Sequence, residues 1–301
     1  MAVRYRLGLL VRAVRAPFLF ASVVPVLLGT AVATFDGHSL HLGLLLQSLI
    51  GCLTLHAGAN VANDYYDWLS GADGAHQPWH LSGGSQLLQG NQLTPRQVRL
   101  LYRLLYLLAL SFGIYISLQV GMTALCIGLV GLLLGYFYTA PPVAFSYRGL
   151  GELVTGITFG PLAVTGAYFV QSGSLEWFPL LVSLPVGLLI TAVLYINEFP
   201  DYLQDKAAGK NTWVVLTCGR SMWIYQLMVS AALLATLGLL LYAGWWLFLL
   251  SLPFAWLAWR PLRSCHQLSP EALFPLQRHT LKLHAVTCVA LALLFFLVGP
   301  A

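Results

Sequence analysis

The chain has 301 residues, of which 58% are hydrophobic and only 8% are charged. An average soluble domain is roughly 25% charged, so this composition excludes an ordinary water-soluble protein. The formal net charge is +5, but basic and aromatic residues do not interleave in the way that nucleic-acid binding requires. We therefore predict an all-α integral membrane protein that contacts the lipid bilayer and binds no nucleic acid.

Uncharged runs long enough to cross a bilayer recur along the whole chain. A hydrocarbon core of about 30 Å needs about 20 apolar residues per helix. By this criterion we predict nine spans, over residues 17–35, 41–62, 98–119, 121–138, 151–171, 177–197, 222–243, 245–260 and 280–299. The third and fourth runs meet near Gln119, which leaves eight spans as an alternative. No linker is visible, so we predict a single membrane domain over residues 1–301.

The basic residues predict the orientation of these spans. If the N-terminus is cytoplasmic, all 15 Lys and Arg residues fall in or beside loops on the cytoplasmic side, as the positive-inside rule expects. Residues 1–33 also resemble a secretory signal peptide, but their removal would break this parity. The two longest loops, 63–97 and 198–221, lie on the same side and carry six of the ten acidic residues. We therefore expect a protein of the cell (inner) membrane whose active-site loops are cytoplasmic.

The first polar motif, Asn-Asp-Tyr-Tyr-Asp over residues 63–67, follows the second predicted span. If the span continues as a helix, Asn63 and Asp67 are one turn apart on one face. Asp73 follows in the same segment. The motif thus predicts oxygen ligands that converge at one end of a span.

The second polar motif follows the sixth predicted span, over residues 197–206. Asn197, Asp201 and Asp205 recur at a helical interval and are predicted to share one face. Pro200 lies between them, where a helix is expected to be interrupted or kinked. The two motifs are therefore predicted to be similar sets of ligands on one membrane face.

Magnesium suits these residues. Carboxylates beside apolar spans cost several kcal/mol unless they are paired or bound to metal. Mg²⁺ prefers oxygen ligands and is usually held by one or two carboxylates together with substrate phosphates. The cations Arg148, Lys206 and Lys210 are close in topology and would balance the charge of a diphosphate. The alternative is that both motifs are solvated loops.

Other functional classes remain open at this point. An ion-coupled transporter would place charged residues near the middle of the bilayer, whereas these acids cluster at one face. A scaffold without catalysis would leave the paired motifs unexplained. His76 and His80 have a metal-ligand spacing, but Pro78 between them interrupts the helix that zinc binding would need. His56, inside a span, is interpreted either as a packed residue or as a substrate contact.

The two motifs resemble the signatures of the UbiA superfamily of intramembrane prenyltransferases. Four further stretches are similar to its 1,4-dihydroxy-2-naphthoate (MenA-type) branch: Gly-Gly-Ser at 83–85, Leu-Thr-Pro-Arg-Gln-Val at 93–98, Tyr-Arg-Gly-Leu-Gly-Glu at 147–152 and Gly-Pro-Leu-Ala-Val at 160–164. The resemblance implies a helical bundle around a central cavity. It also implies transfer of a polyprenyl group from polyprenyl diphosphate to an aromatic acceptor, with 1,4-dihydroxy-2-naphthoate in menaquinone biosynthesis as the expected acceptor.

The resemblance also implies residue roles. The resemblance implies that magnesium and the diphosphate are bound by six residues, Asn63, Asp64, Asp67, Asn197, Asp201 and Asp205. It further implies that Arg148, Lys206 and Lys210 contact the phosphates and that Tyr138 lies near the reacting allylic carbon. Asp67, Asp201 and Tyr138 are the expected catalytic residues. Pro142 stands where many family members have a lysine, so Arg148 is expected to substitute. Homogentisate, 4-hydroxybenzoate and a haem or chlorophyll precursor remain alternative acceptors, and prenyl chain length and oligomeric state are left open.

Overall fold

The computed structural model describes residues 2–73, 84–243 and 270–298, and every regular element within these ranges is helical. The α-helices are α1 (Ala2–Ala13), α2 (Phe20–Phe35), α3 (Leu42–Ser70), α4 (Pro95–Val120), α5 (Met122–Tyr136), α6 (Gly151–Ile157), α7 (Ala163–Ser172), α8 (Trp177–Glu198), α9 (Tyr202–Ala207), α10 (Trp213–Leu216), α11 (Met222–Ala243) and α12 (Pro270–Val298). Short 3₁₀ turns cover Ala16–Phe18 and Phe145–Tyr147, and a π-helical segment, Thr158–Leu162, joins α6 to α7.

The membrane-spanning character of the fold is confirmed. Seven helical segments of the described residues are long and apolar enough to cross a bilayer, and α5 is a shorter apolar helix. Gly121, at φ 101°, separates α4 from α5, so these are two helices and not one. The predicted span at 245–260 lies outside the described residues, and the count of nine is therefore not confirmed.

One of the two predicted boundaries at the polar motifs differs from the structure. Helix α3 does not end near residue 62 but continues to Ser70, so the first motif is helical as expected. Helix α8 ends at Glu198, and a turn that includes Pro200 separates it from α9. Because proline lacks the amide proton that a continuing helix needs, the second motif occupies two helices. The interruption expected at Pro200 is present, and Asn197, Asp201 and Asp205 do not share the face of one helix.

The last described helix also begins earlier than predicted. Helix α12 begins at Pro270 rather than at residue 280. The early turns of α12 contain Arg278. Because the spans were predicted from uncharged runs, this charge moved the predicted start of the span to residue 280. A charged residue near the end of a span can extend to the polar interface, so it does not terminate the helix.

Close glycine contacts bring α8 against the segment formed by α6 and the π-helical turn. A Cβ added at Gly160 would lie 2.7 Å from Gly187 Cα, and one added at Gly187 would lie 2.8 Å from Gly156 O. Only glycine allows backbones to approach so closely, as is common between membrane helices. This packing fixes the end of α8, which carries Asn197, beside the start of α6.

Tyrosine rings tie the first motif to α4 and α5. The cluster consists of Tyr65, Tyr66, Tyr102, Tyr106 and Tyr136, with ring centroids 5.2–6.5 Å apart. The hydroxyls of Tyr66 and Tyr136 are hydrogen-bonded at 3.0 Å. Edge-to-face pairs of this kind add about 0.5–1.5 kcal/mol each beyond area burial. The end of α3 is therefore held firmly on one side, opposite the cavity.

Candidate active site

A cavity of about 380 Å³ lies between α2, α3, α4, α5, α7 and α8. Its walls are largely apolar, and its polar residues are concentrated at the end where α3 and α8 terminate. Residues from both motifs line this end, namely Asn63, Asp67, Asp73, Asn197, Glu198, Asp201 and Asp205, together with Arg15, Asn60, Tyr138, Lys210 and Thr212. The structure therefore brings together seven of the ten residues that the sequence assigns to the site.

Lys210 joins the two motifs electrostatically. Its ammonium nitrogen is 3.0 Å from Asp67 Oδ2 and 3.7 Å from Asp205 Oδ1. Burial alone would lower the pKa of Lys210, but the two carboxylates outweigh burial and raise the pKa well above its usual value. Lys210 is therefore charged, and its ammonium group contacts one carboxylate from each of the two motifs.

Asp67 is the most enclosed carboxylate of the first motif, with only 3% of its side chain exposed. Tyr147 donates its hydroxyl hydrogen to Asp67 Oδ1 at 2.7 Å, and the same hydroxyl contacts Ser70 Oγ at 2.5 Å. Both carboxylate oxygens of Asp67 thus have a protein partner when Lys210 is counted. Hydrogen bonds to a charged group fix its orientation, so the Asp67 carboxylate is preorganised. Tyr147 was not predicted as a site residue.

Asp64 is held beside the cavity by Arg15. The two side chains form an ion pair, and the backbone N–H of Ser85 donates to Asp64 Oδ2 at 3.0 Å. Arg15 has a left-handed backbone, at φ 50°, directly before the first span. Asp64 does not line the cavity itself, whereas Arg15 does. The sequence missed Arg15 because its partner is 49 residues away.

A third carboxylate of the first segment, Asp73, adjoins Gly84. A Cβ at Gly84 would overlap the Asp73 carboxylate, and Gly84 is at φ +75°, a conformation that favours glycine. Burial, and then the negative charge of Asp67, raises the pKa of Asp73 to about 7. The polar end of the cavity thus has more negative than positive charge and favours a further cation.

Both motifs contribute buried oxygens. Among the described residues, Asn63 Oδ1 and Asn197 Oδ1 are buried without a hydrogen-bond partner, which is rare for polar atoms in native proteins. Burial raises the pKa of Asp205 to about 6, an effect that Lys210 partly offsets. The two amide oxygens therefore lack a hydrogen-bond donor or a metal cation to which they can give a lone pair.

Magnesium fits this donor set if substrate completes it. Within the described ranges, no group of three or more His, Cys, Asp or Glu side chains is placed to hold a metal by itself. Mg²⁺ commonly takes only one or two carboxylates and completes its shell with substrate phosphates and water. The unpartnered amide oxygens and the raised pKa of Asp73 are consistent with such a partly formed site.

Two predicted cations lie apart from the cavity. Arg148 is exposed and donates to the carbonyl oxygen of Pro142 at 2.8 Å. Lys206 is exposed, and its ammonium nitrogen is 5.7 Å from the ring centroid of Tyr202. Neither lines the polar end, so their phosphate contacts stay predictions that the geometry does not favour. His76, His80 and Gly83 lie outside the described residues.

A buried pair of acids positions the loop that carries Lys210. Glu152 is 1% exposed and accepts a hydrogen bond from the backbone N–H of Trp213. Its carboxyl group also interacts with that of Glu198 at the end of α8. Trp213 further donates its indole N–H to Gly149 O at 2.9 Å. These contacts attach the 209–213 loop to α6 and α8, a function that spacing in the sequence did not indicate.

The model of the UbiA prenyltransferase family matches residues 22–283, a range that contains both motifs. The chain belongs to the UbiA prenyltransferase family. The matched family is one of prenyltransferases, which favours that class over the transporter and the scaffold.

Other UbiA-family proteins resemble the chain over much of its length. It is 34% identical over 198 residues to the 1,4-dihydroxy-2-naphthoate octaprenyltransferase of Bacillus subtilis, covering 66% of this chain and 62% of that protein. It is 32% identical over 250 residues to the 2-carboxy-1,4-naphthoquinone phytyltransferase of Synechocystis, covering 81% of this chain and 78% of that protein. The match thus spans less than two thirds of the Bacillus relative.

A solved structure shares the UbiA-family fold. The UbiA homologue of Archaeoglobus fulgidus, solved with GPP and Mg²⁺ bound, superposes with a TM-score of 0.66 over 94% of this chain and 99% of that one. The two sequences are 17% identical. The likeness confirms the all-helical fold class.

Proposed function

We propose that this protein transfers a polyprenyl group from polyprenyl diphosphate to an aromatic acceptor, and that the acceptor is 1,4-dihydroxy-2-naphthoate. One observation carries the proposal. Polar residues of both motifs meet at one end of a cavity whose remaining walls are largely apolar. Polyprenyl diphosphate is divided in the same way, because it has a charged diphosphate at one end and a hydrocarbon chain at the other.

The donor is proposed to bind with its diphosphate at the polar end. There, Lys210 faces the cavity between Asp67 and Asp205, and an ammonium group is a common phosphate ligand. Arg15 lines the same end and offers a second cation. The prenyl chain then follows the apolar wall, where residues such as Ile127 and Leu162 line the cavity.

Magnesium is the proposed cofactor. The residues that would hold it with the diphosphate are Asn63, Asp67, Asn197, Asp201 and Asp205, with Asp64 and Asp73 as flanking charges. When bound, Mg²⁺ supplies Lewis-acid stabilisation of the charge on the leaving diphosphate. The Arg15 and Asp64 pair and the Tyr147 hydrogen bond keep the acids of the first motif in place before substrate arrives.

The walls of the cavity are proposed to protect the allylic cation. Tyr138 lines the cavity with the residues of its polar end, and Phe159 also lines the cavity. Aromatic rings attract a cation by about 0.5–2 kcal/mol. Exclusion of water prevents hydrolysis of the reactive group. Tyr138 is therefore a proposed catalytic residue together with Asp67 and Asp201.

The acceptor is proposed by analogy to the two relatives. Both are named for naphthalene derivatives, a dihydroxynaphthoate and a carboxynaphthoquinone. Homogentisate and 4-hydroxybenzoate are smaller aromatic alternatives. Because relatives at 32–34% identity can differ in acceptor, a comparison of acceptors is part of the test.

The test is a prenyl-transfer assay on membranes that contain the protein. These membranes are incubated with labelled polyprenyl diphosphate, Mg²⁺ and each acceptor in turn. We expect prenylated naphthoate as the main product, and we expect its loss in Asp67→Ala and Asp201→Ala at unchanged protein levels. Full activity in both variants would overturn the two-motif site. Preferred turnover of another acceptor would overturn the choice of naphthoate alone.

A further inference from the structure

His56 is a polar group in the apolar part of the cavity. It lies on α3 and lines the cavity, seven residues before Asn63, which corresponds to about 10 Å along the helix axis. Of the described residues, it is the only histidine that lines the cavity. The distance from Asn63 leaves room for one aromatic ring system between the diphosphate end and this imidazole.

The hydrogen bonds around His56 favour the tautomer in which Nδ1 carries the proton. Ser22 Oγ donates to Leu19 O at 2.8 Å. A serine hydroxyl has a single hydrogen; when Leu19 O accepts it, Ser22 Oγ is the acceptor in its 3.1 Å contact with His56 Nδ1. In that arrangement Nδ1 of the neutral imidazole carries the proton, and Nε2 carries the free lone pair.

The ring of His56 is held in place from a second side. Phe159 meets it edge to face, with centroids 4.8 Å apart and an interplanar angle of 71°. Ser22 belongs to α2 and Phe159 to the π-helical segment, so two neighbouring elements orient an imidazole on a third. A base oriented by a hydrogen bond at its other nitrogen is the usual arrangement for general-base catalysis.

We propose that His56 Nε2 binds the aromatic acceptor by accepting a hydrogen bond from its hydroxyl group, and that it takes this proton as the ring attacks. The proposal rests on the proposed function and adds the group that recognises the acceptor. It selects hydroxylated arenes, because an arene without a hydroxyl hydrogen has nothing to donate to Nε2.

The step balances as follows. The C1–O bond of the allylic diphosphate breaks, and its electron pair leaves with the diphosphate. A ring carbon supplies the electron pair of the new C–C bond, while the hydroxyl proton passes to His56 Nε2 and the hydroxyl carbon becomes a carbonyl. The substituted carbon then loses a proton to the diphosphate, or a carboxylate as CO₂. The imidazolium returns its proton to the carbonyl oxygen, and the ring becomes aromatic again.

His56→Phe is the main test, because it keeps a flat ring and removes both nitrogens. We expect turnover of naphthoate to fall by about 100-fold or more, the usual size of a general-base contribution, with an unchanged KM for polyprenyl diphosphate. Thr54→Ala is the matched control, because Thr54 lies on α3 two residues before His56 but does not line the cavity. It is expected to retain wild-type turnover.

Ser22→Ala tests the tautomer separately. This change removes the group that holds the proton on Nδ1 but leaves the imidazole, so we expect a smaller loss of about tenfold. A wild-type rate in Ser22→Ala would overturn the role of Ser22. A normal KM for polyprenyl diphosphate in both variants is the required sign that the protein is folded.

A methylated acceptor separates a chemical role from a structural one. In the wild type, methylation of the acceptor hydroxyl should slow prenyl transfer as much as His56→Phe does. In His56→Phe the same methylation should cost nothing further. The proposal would be overturned if methylation slowed prenyl transfer equally in the wild type and in His56→Phe. It would also be overturned if His56→Phe retained wild-type turnover. Absence of transfer to every acceptor in the wild type would instead refute the proposed function.

Discussion

At Lys210 a single ammonium group faces two carboxylates from different motifs, Asp67 and Asp205. The neighbouring cation, Lys206, lies on the exposed side of the short helix α9. Gly209, at φ +72°, then turns the chain so that Lys210 returns to the cavity. Two lysines close in sequence therefore have different surroundings, and we expect different effects when each is neutralised.

We predict that Lys210→Gln lowers prenyl transfer by about 10- to 100-fold, which corresponds to about 1.4–2.8 kcal/mol of lost interaction with the diphosphate. Most of the loss should be a higher KM for polyprenyl diphosphate. Lys206→Gln should change turnover by less than about twofold, as expected for an exposed charge. Lys282→Gln, an exposed lysine on α12, is the control for charge alone. Equal losses in Lys206→Gln and Lys210→Gln would contradict this distinction.

Tyr147→Phe removes one hydroxyl that touches Asp67 and Ser70. We predict a decrease of about 1.5–3 kcal/mol in the free energy of unfolding, the usual cost of losing a hydrogen bond to a charged group. Thermal unfolding of the detergent-solubilised protein measures it. Tyr115→Phe, at an exposed position on α4, is the control and should leave stability unchanged.

The sequence could identify most acids of the site but not their partners. Asn63, Asp67, Asn197 and Asp205 follow from a recurrent spacing beside apolar runs. Arg15 and Tyr147 contact the first motif across 49 and 80 residues, and spacing carries no information at such separations. Arg148, Lys206 and Lys210 all lie in loops that the sequence predicts to be cytoplasmic, and only burial distinguishes Lys210 from the other two.

At the scale of elements, the site depends on how two helices end. Helix α3 continues through its motif because no residue from Asn63 to Ser70 interrupts a helix, and Gly71, at φ 79°, ends it. Helix α8 stops before Pro200, which turns Asp201 and Asp205 onto a new segment. Hydropathy predicted both spans, but the local chemistry of proline and glycine determined where the ligands lie.

We predict that Gly160→Ala destabilises the packing of α8 on the π-helical segment by about 1–3 kcal/mol, the usual cost of overpacking. The added methyl group would lie 2.7 Å from Gly187 Cα and 3.1 Å from Ser183 O. Gly238→Ala is the matched control, because nothing lies within 4 Å of its added Cβ. The thermal midpoint should fall in the first variant only, and a lower midpoint in both would indicate a general effect of alanine.

At the scale of the molecule, the distribution of charge predicts the side of the membrane on which the site lies. Cys218 is exposed in the turn between α10 and α11, on the motif side, whereas Leu175 is exposed between α7 and α8 at the opposite end. We predict that an impermeant maleimide labels Leu175→Cys in intact cells and labels Cys218 only after permeabilisation. Each is tested in a background without other cysteines. The reverse pattern would invert the proposed orientation.

The bridge from Lys210 to Asp67 and Asp205 has a thermodynamic consequence. In the protein without substrate, the ammonium group competes with a metal for the same carboxylate oxygens. Bound diphosphate would draw Lys210 to its own oxygens and release the carboxylates to the metal, which makes metal and diphosphate binding positively cooperative by about 1–3 kcal/mol.

We predict from this coupling that Lys210→Gln has opposite effects on the two ligands. Titration calorimetry should show tighter binding of Mg²⁺ alone in the variant and weaker binding of diphosphate in the presence of Mg²⁺. Weaker binding of both ligands would contradict the exchange. A lysine that is an ion-pair partner before the substrate binds would thereby make occupation of the metal site depend on the arrival of the donor.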